Sequence, residues 1–496
     1  MKIANLVLAA AIGMAAVSAS ADDDEVKIEA KPLSIGALQE FGQLWKGMYK
    51  IGPGSPGVTY THDWIDHFGA FLTKEAVVND RLFLSGGVGG VFQFRKPESI
   101  NPGFYGSQRK GFFIGPTKAM ADYHFGDPAD PYLTLGAGMF MYKYNGDANN
   151  LGEYLYRSLP YPTVTSTGGY VMINSAAANL QGLKSSLHMG NFKADFLLTT
   201  ETGLAPLYDW SLGAIASYSI ADGLLDLGAG VNFKRLIPVK PSRTVPEEET
   251  NGYFNYKGKD YTTNLNYYTY QIEYYNKKKT AADSAKAAVI KTLKDTASVL
   301  LDPVATPAGP KIEHYSNSGI LAMARASFDM KKLFDTDIFG PQDLKFYTEA
   351  ALLGVQNYPV FYEKRSERIP VMVGFNLPGF RFFDLISVQV EQMKSPWLNN
   401  TAQVGNEAIP LPFLPSASDT VASKKEWNDL ATKDDFKWSF IMQKKLGNYI
   451  TWSAQAASDH LRVVSARYFY GPQFDHNEVT ISKDHWWLMT QISWGI

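Results

Sequence analysis

Apolar and polar residues alternate one for one along most of this chain, and residues 208–237 show the unit most clearly. Trp210, Leu212, Ala214, Ala216, Tyr218 and Ile220 fall on one face, with Ser211, Gly213, Ile215, Ser217 and Ser219 on the other. After Ala221-Asp222-Gly223 the pattern resumes, Leu225, Leu227, Ala229, Val231 and Phe233 standing against Asp226, Gly228, Gly230, Asn232 and Lys234. A period of two marks antiparallel strands with one apolar and one polar face, joined here by a tight turn. Each arm runs about ten residues or more, against about five or six for an ordinary strand. About ten residues is what a tilted strand needs to cross a bilayer. Tyr208, Trp210, Tyr218 and Phe233 stand at the arm ends, where interfacial aromatics belong. The unit reads as a transmembrane β-hairpin.

The same signature recurs from residue 33 to the C-terminus, and the strands number about sixteen, an even count. Short connections near Asn79, Asp127, Gly190, Asp222, Asp343 (somewhat longer), Phe380 and Gly447 alternate with long ones. Short periplasmic turns and long extracellular loops produce that asymmetry. Asn145-Gly146-Asp147 begins one of the long connections. Another, 238–316, breaks the alternation altogether: it is rich in Tyr and Asn, then turns amphipathic from Thr280 to Leu301. Thr280 with Asp283 predicts an N-terminal cap, and Ala285, Ala288, Val289, Leu293, Val299 and Leu300 fall near one helical face. Its length and position predict a lid or partial plug.

The first 21 residues read as a secretory signal: Lys2, an apolar run from Ile3 to Val17, then Ala19-Ser20-Ala21. Residues 22–32 are expected to be mobile and 33–496 to form the barrel. No later run approaches the ~18–20 apolar residues of a spanning helix. The chain has no cysteine, which excludes disulfides, thiolate metal sites and a cysteine nucleophile. A net charge of −2 makes no case for nucleic acid.

Charges on the polar strand faces carry the most information. Arg95, Lys193, Asp195, Asp226, Lys234, Arg325, Asp329, Lys345, Glu349, Arg368, Glu391, Lys437 and Asp459 would all point inward and line a pore. A sealed apolar core could not hold them, because each unpaired charge would cost several kcal/mol; a wet lumen could. Their mixed signs argue against a strongly ion-selective field. His62-Asp63, Asp66-His67 and the later Asp-His pairs lack zinc-ligand spacing, and neighbours in a strand point to opposite faces. The expectation is no metal, no cofactor and no catalysis. The glycines of 85–90 lie inside an alternating strand, which favours close packing over phosphate binding. Tyr253, Tyr256, Tyr261, Tyr267, Tyr268 and Tyr270 could stack on sugar rings or simply pack their loop onto the barrel mouth.

Export signal, absence of Cys, hairpin array and aromatic C-terminal strand together resemble Gram-negative outer-membrane β-barrels of the porin class. The resemblance is architectural and points to no subfamily. It implies an all-β, up-and-down barrel in the bacterial outer membrane, with lipid and the barrel-insertion machinery as partners. It also implies frequent homo-oligomers and a constriction loop folded into the lumen, neither of which the sequence shows. Trp494 is followed by Gly495 and Ile496, a departure from the terminal aromatic of that class. The expected function is passive diffusion of small hydrophilic solutes, sugars among them. A structural or adhesive barrel whose loops bind an extracellular polymer is the alternative; a soluble two-sheet β protein of the periplasm is a third.

Overall fold

The computed structural model describes residues 27–49, 58–94, 111–156, 178–201, 209–237, 252–314, 318–335, 337–356, 362, 364–395, 435–458, 462–465, 473–478, 480, 482 and 484–495. The signal segment lies outside the described residues. Strands β1 (Ile28–Ala30), β2 (Ser34–Tyr49), β3 (Val58–Val78), β4 (Leu82–Phe94) and β5 (Gly111–Asp127) come first. Next are β6 (Asp130–Tyr142), β7 (Ala178–Met189), β8 (Phe192–Thr200), β9 (Trp210–Ile220) and β10 (Leu225–Ile237). An inserted unit supplies β11 (Gly252–Tyr256), β12 (Lys259–Thr262) and β13 (Glu313–His314). The meander resumes with β14 (Gly319–Asp329), β15 (Lys345–Leu352), β16 (Val371–Asn376) and β17 (Leu385–Gln392). It ends with β18 (Phe436–Leu446), β19 (Ile450–Ala457), a separate pair β20 (Arg462–Ser465) and β21 (Gln473–Glu478), and β22 (Trp486–Gly495).

Sixteen of these close into one antiparallel barrel: β2 to β10, β14 to β19, and β22, which pairs with both β19 and β2. Closure removes every unpaired edge. Of the segment expected to be mobile, Ile28–Ala30 pairs with β3 just below β2, the two strands separated by Pro32. The connections at one rim follow β3, β5, β7, β9, β14, β16 and β18, all short turns except the longer one after β14 at residues 330–344, and the barrel's first and last strands meet at the same rim through Gly36 and Gly495. Three of these turns carry paired left-handed residues, Asn79 (φ 47°) with Asp80 (φ 56°), Ala221 (φ 49°) with Asp222 (φ 54°) and Phe380 (φ 49°) with Arg381 (φ 60°). That geometry matches the right-handed twist of the flanking strands.

The wall is polar inside and apolar outside. On β17, Ser387, Gln389 and Glu391 are buried while Val388 is 38% exposed. On β18, Lys437 and Ser439 are buried between outward Trp438, Phe440 and Met442. Phe41, Leu72, Val88, Leu183, Phe196, Leu227, Phe346 and Ile492 form part of a continuous exposed apolar belt. In water each such side chain would forgo about 1.5–3 kcal/mol of burial, and a belt this wide far exceeds the patches soluble monomers tolerate. Lipid is the solvent that suits it.

The insert between β10 and β14 holds two helices where the sequence predicts one. α1 (Leu265–Lys278) is capped by Asn264, and α2 (Ala281–Leu301) by Thr280, whose hydroxyl accepts from Asp283 N at 3.1 Å as expected. The buried face of α2 is Ala287, Ile290 and Ala297, while the predicted Val289 and Val299 are more than half exposed. The face is rotated because α2 packs on α1 and on the tyrosines of the insert, rather than on the barrel wall.

Candidate functional site

The connection after β6 is the site on which the interior is organised. Expected as an extracellular loop, residues 143–156 turn into the barrel instead and reach the inner faces of β10 and β15 to β17 on the far wall. The cause is a matched set of donors and acceptors. Glu349 of β15 accepts from Tyr144 Oη (2.6 Å), Asn145 Nδ2 (2.7 Å) and Tyr154 N (3.1 Å). Gln389 Oε1 of β17 accepts from Asn150 N (2.9 Å) and Leu151 N (3.1 Å). Tyr154 Oη donates to Glu391 at 2.8 Å, and Asn232 Nδ2 of β10 donates to Leu155 O at 3.1 Å. At the loop's tip, Asn149 meets Ser387 (3.3 Å) and Asp147 pairs with Lys345 (3.1 Å).

Sterics complete the fit. Gly213 on β9 leaves the space that Tyr156 fills: a Cβ there would lie 1.7 Å from the phenol oxygen. Gly152 (φ +93°) and Glu153 (φ 60°) are consecutive left-handed residues that let the loop reverse against Met372 and Glu349. Ala148, Asn150, Leu151, Glu153 and Tyr156 are all at most 1% exposed. Loop and wall share one apolar cluster that includes Leu151, Leu155, Tyr347 and Met372.

The electrostatics of the loop are those of a dry carboxylate pair. Glu153 accepts from the backbone of Tyr144 and Asn145, while the same two residues' side chains bond Glu349. Burial, reinforced by the Glu349 charge, holds the Glu153 carboxyl well above the ordinary carboxylate range. Burial pulls the neighbouring Lys143 ammonium below its ordinary value, against the pull of Glu153 and Asp147.

The structure gathers several sequence-predicted residues here and leaves others apart. Lys345, Glu349 and Glu391 hold the loop. Lys437 stands opposite Glu391 in register, and its ammonium donates to Thr480 O at 2.5 Å. Asp195 accepts from Tyr142 (2.7 Å) and Ser186 (2.6 Å), and Lys193 on the same inward face of β8 is exposed. Arg325 lies across Gly228, beside inward Asp226 on β10. Asp329 pairs with Lys331 at the short-turn rim (2.9 Å), and Lys234 is buried at the opposite end of β10. Arg368 does not line a strand face: it sits in a 3-10 turn, Arg365–Arg368, where its guanidinium is consumed by the carbonyls of Gly354 (2.8 Å) and Gln356. Arg95 and Asp459 lie outside the described residues.

Tyr261, Tyr267 and Tyr268 are buried in a core that the insert's Phe254 shares with Tyr362 of the β15–β16 connection, which leaves Tyr253 and Tyr256 partly exposed, while the side chain of Tyr270 lies outside the described residues. Among the described residues no group of three or more His, Asp or Glu is placed to hold a metal ion.

The loop residues Tyr144, Asn145, Asn149, Glu153 and Tyr154 were not predicted to be functional. The available signal was unusual polarity on the inner faces of β15 and β17, where Tyr347, Glu349, Ser387, Gln389 and Glu391 fall at every second position.

No protein-family model matches the chain, and no curated protein matches it. Solved structures similar to it include a triple mutant and a further mutant of the Rhodopseudomonas blastica porin, at TM-scores of 0.37 and 0.38 and 7% and 6% identity. Each alignment covers 94% of this chain and all of that porin. At such identity and score the likeness carries no argument about function, which rests on the barrel's own geometry.

Proposed function

We propose that this protein is a channel of the bacterial outer membrane, passing small hydrophilic solutes passively through a lumen narrowed by residues 143–156. The observation that carries the reading is the inside-out wall: charged and amide side chains within, a continuous apolar belt without, around sixteen closed strands. A barrel of that strand number encloses an aqueous passage where nothing plugs it. The loop fills the space along β9, β10 and β15 to β17, so solutes travel along the remaining wall. There Lys118, Glu75, Asp195 and Lys193 mix both signs. Size then governs passage more than charge does. Sugars fit this chemistry as uncharged, hydrogen-bonding solutes.

Liposomes containing the refolded protein should swell in isotonic monosaccharide faster than in a large oligosaccharide. Equal, protein-independent swelling in every solute would overturn the reading. An adhesive barrel is the second reading, because the insert packs around a buried aromatic core and presents exposed helix surface. Loss of cell-surface polymer binding on deleting 252–314, at unchanged permeability, would favour it.

A further inference from the structure

The glycines of β4 leave a bare strip on the inner wall. Ser85, Gly87 and Gly89 face the lumen, alternating with outward residues such as Val88, which is 43% exposed. Side chains of the two neighbouring strands lean into the strip. Phe71 of β3 stands opposite Gly89 in register. Its ring takes the space of two missing side chains: a Cβ at Gly89 would lie 2.5 Å from its Cδ1, and one at Gly69 would lie 2.9 Å from its Cζ. A ring that reaches over both backbones lies against the wall. One face is spent on the glycines and the other looks into the lumen, in keeping with the half-buried state of Phe71.

Two hydroxyls converge beside the ring. Thr73 Oγ1 comes from β3 and Thr117 Oγ1 from the bulge of β5, within 3.1 and 2.6 Å of where Gly87 would carry a Cβ. Among the described residues neither hydroxyl has a hydrogen-bond partner in the protein, and the same holds for Ser85. At the end of the strip Glu75 faces Ser85 in register and stands between Lys118 (3.3 Å) and Lys31 (3.5 Å). Pairing leaves the carboxylate spare lone pairs and the ammonium spare donors. From Phe71 to Glu75 the strand runs about 13 Å at roughly 3.3 Å per residue, longer than one sugar ring and suited to two.

We infer that this strip is a sugar subsite of the lumen, where one pyranose of a neutral disaccharide stacks on Phe71 and the next bonds Thr73, Thr117, Ser85 and the Glu75–Lys118 pair. The inference rests on the channel reading and names the solute class and the place where it is held. The face of a phenyl ring carries negative charge density, which draws the polarised C–H groups of a pyranose. Glycine inside a strand lets another group approach the backbone closely; a side chain at Gly69 or Gly89 would push the ring off the wall. Solute hydroxyls replace lumen water on the threonines and the ion pair at little net gain. The sugar is therefore held weakly enough to leave, as passage demands.

The test is sugar block of single-channel current in a planar bilayer, with the full mature chain and cellobiose as the probe. Block is read against each variant's own open step, and heat-shifted gel mobility confirms that each variant is folded. Wild type should show concentration-dependent block. Phe71→Leu, which keeps an apolar side chain without a ring face, should raise the half-blocking concentration at least about fivefold. Phe71→Trp should hold it within about twofold of wild type. Thr73→Val combined with Thr117→Val should raise it about tenfold. Val88→Ala, on the outer face of the same strand, should leave it unchanged.

Block of Phe71→Leu at the wild-type concentration would overturn the inference, as would wild type that conducts ions without any block by cellobiose. Tighter block by glucuronate than by cellobiose would assign the strip to its cations and also overturn it. Inserted wild type without conducting steps would remove the channel reading itself, an outcome distinct from open steps without block.

Discussion

Replacing Glu349 by alanine should release the inner loop. The carboxylate accepts three hydrogen bonds from it, from Tyr144 Oη, Asn145 Nδ2 and Tyr154 N. Each buried donor left unsatisfied costs about 1–3 kcal/mol, which sets a ceiling of about 9 kcal/mol. Water entering the vacated space re-solvates some donors and returns part of this. A net cost of about 3–4 kcal/mol follows, on the order of 10²- to 10³-fold in the loop's opening equilibrium at 1.4 kcal/mol per tenfold. Glu349→Gln keeps one acceptor oxygen and should give about tenfold.

Limited chymotrypsin reads this directly, because Tyr144, Tyr154, Leu155 and Tyr156 are cleavable yet at most 7% exposed in the folded barrel. Where opening and closing outpace cleavage, the rate tracks the open population. Cleavage of Glu349→Ala within about threefold of wild type would refute the latch.

Further outcomes follow from the same contacts. Gly213→Val should expel Tyr156, because a Cβ at that position lies 1.7 Å from its oxygen; overpacking of this kind costs about 1–3 kcal/mol, and chymotrypsin cleavage after Tyr156 should rise accordingly. The chain has no native cysteine, so Asn149→Cys with Ser387→Cys should form a single cross-link on mild oxidation; no gel shift under conditions that oxidise exposed cysteines would place the loop elsewhere. Burial raises Glu153, so the latched loop favours its protonated form, a contribution complete below the ordinary carboxylate range and lost as pH rises through the raised value. Lys143 acts in the opposite sense, its lowered value contributing stability that is complete above the ordinary amine range and lost as pH falls. Hydrogen exchange at the Tyr144 and Asn145 amides should therefore speed up as pH rises, beyond the intrinsic chemical rate, and Glu153→Gln should abolish that excess.

The barrel was legible wherever one strand face meets lipid and the other the lumen. β10, β14, β15, β17 and β18 alternate cleanly for that reason. β2 alternates poorly because its inner face carries Leu38 and Leu44 around Glu40, all buried, so both faces are apolar in part. The inner loop was hidden by its composition: Asn-Gly-Asp is turn chemistry, and nothing local distinguishes a turn in water from one held by carboxylates across a barrel. Its socket is written in Gly213 and Gly230, which read from sequence as ordinary strand glycines.

α1 was missed because Tyr and Asn are weak helix formers. The signal was present all the same in Tyr268, Gln271 and Tyr275, spaced on one helical face and buried together. The predicted inward charges divide by environment. Those of β15 and β17 became ligands of the loop, and Arg368 was drawn into a turn by free carbonyls that no periodicity reveals.

The most direct test of the account compares single-channel conductance of the wild-type protein with a chain in which residues 145–155 are replaced by a short Gly-Ser linker. Both should open in stable steps in a planar bilayer, the shortened chain with a several-fold larger step. Equal conductance would show that the loop does not narrow the passage, and silence from both correctly inserted proteins would contradict the channel itself.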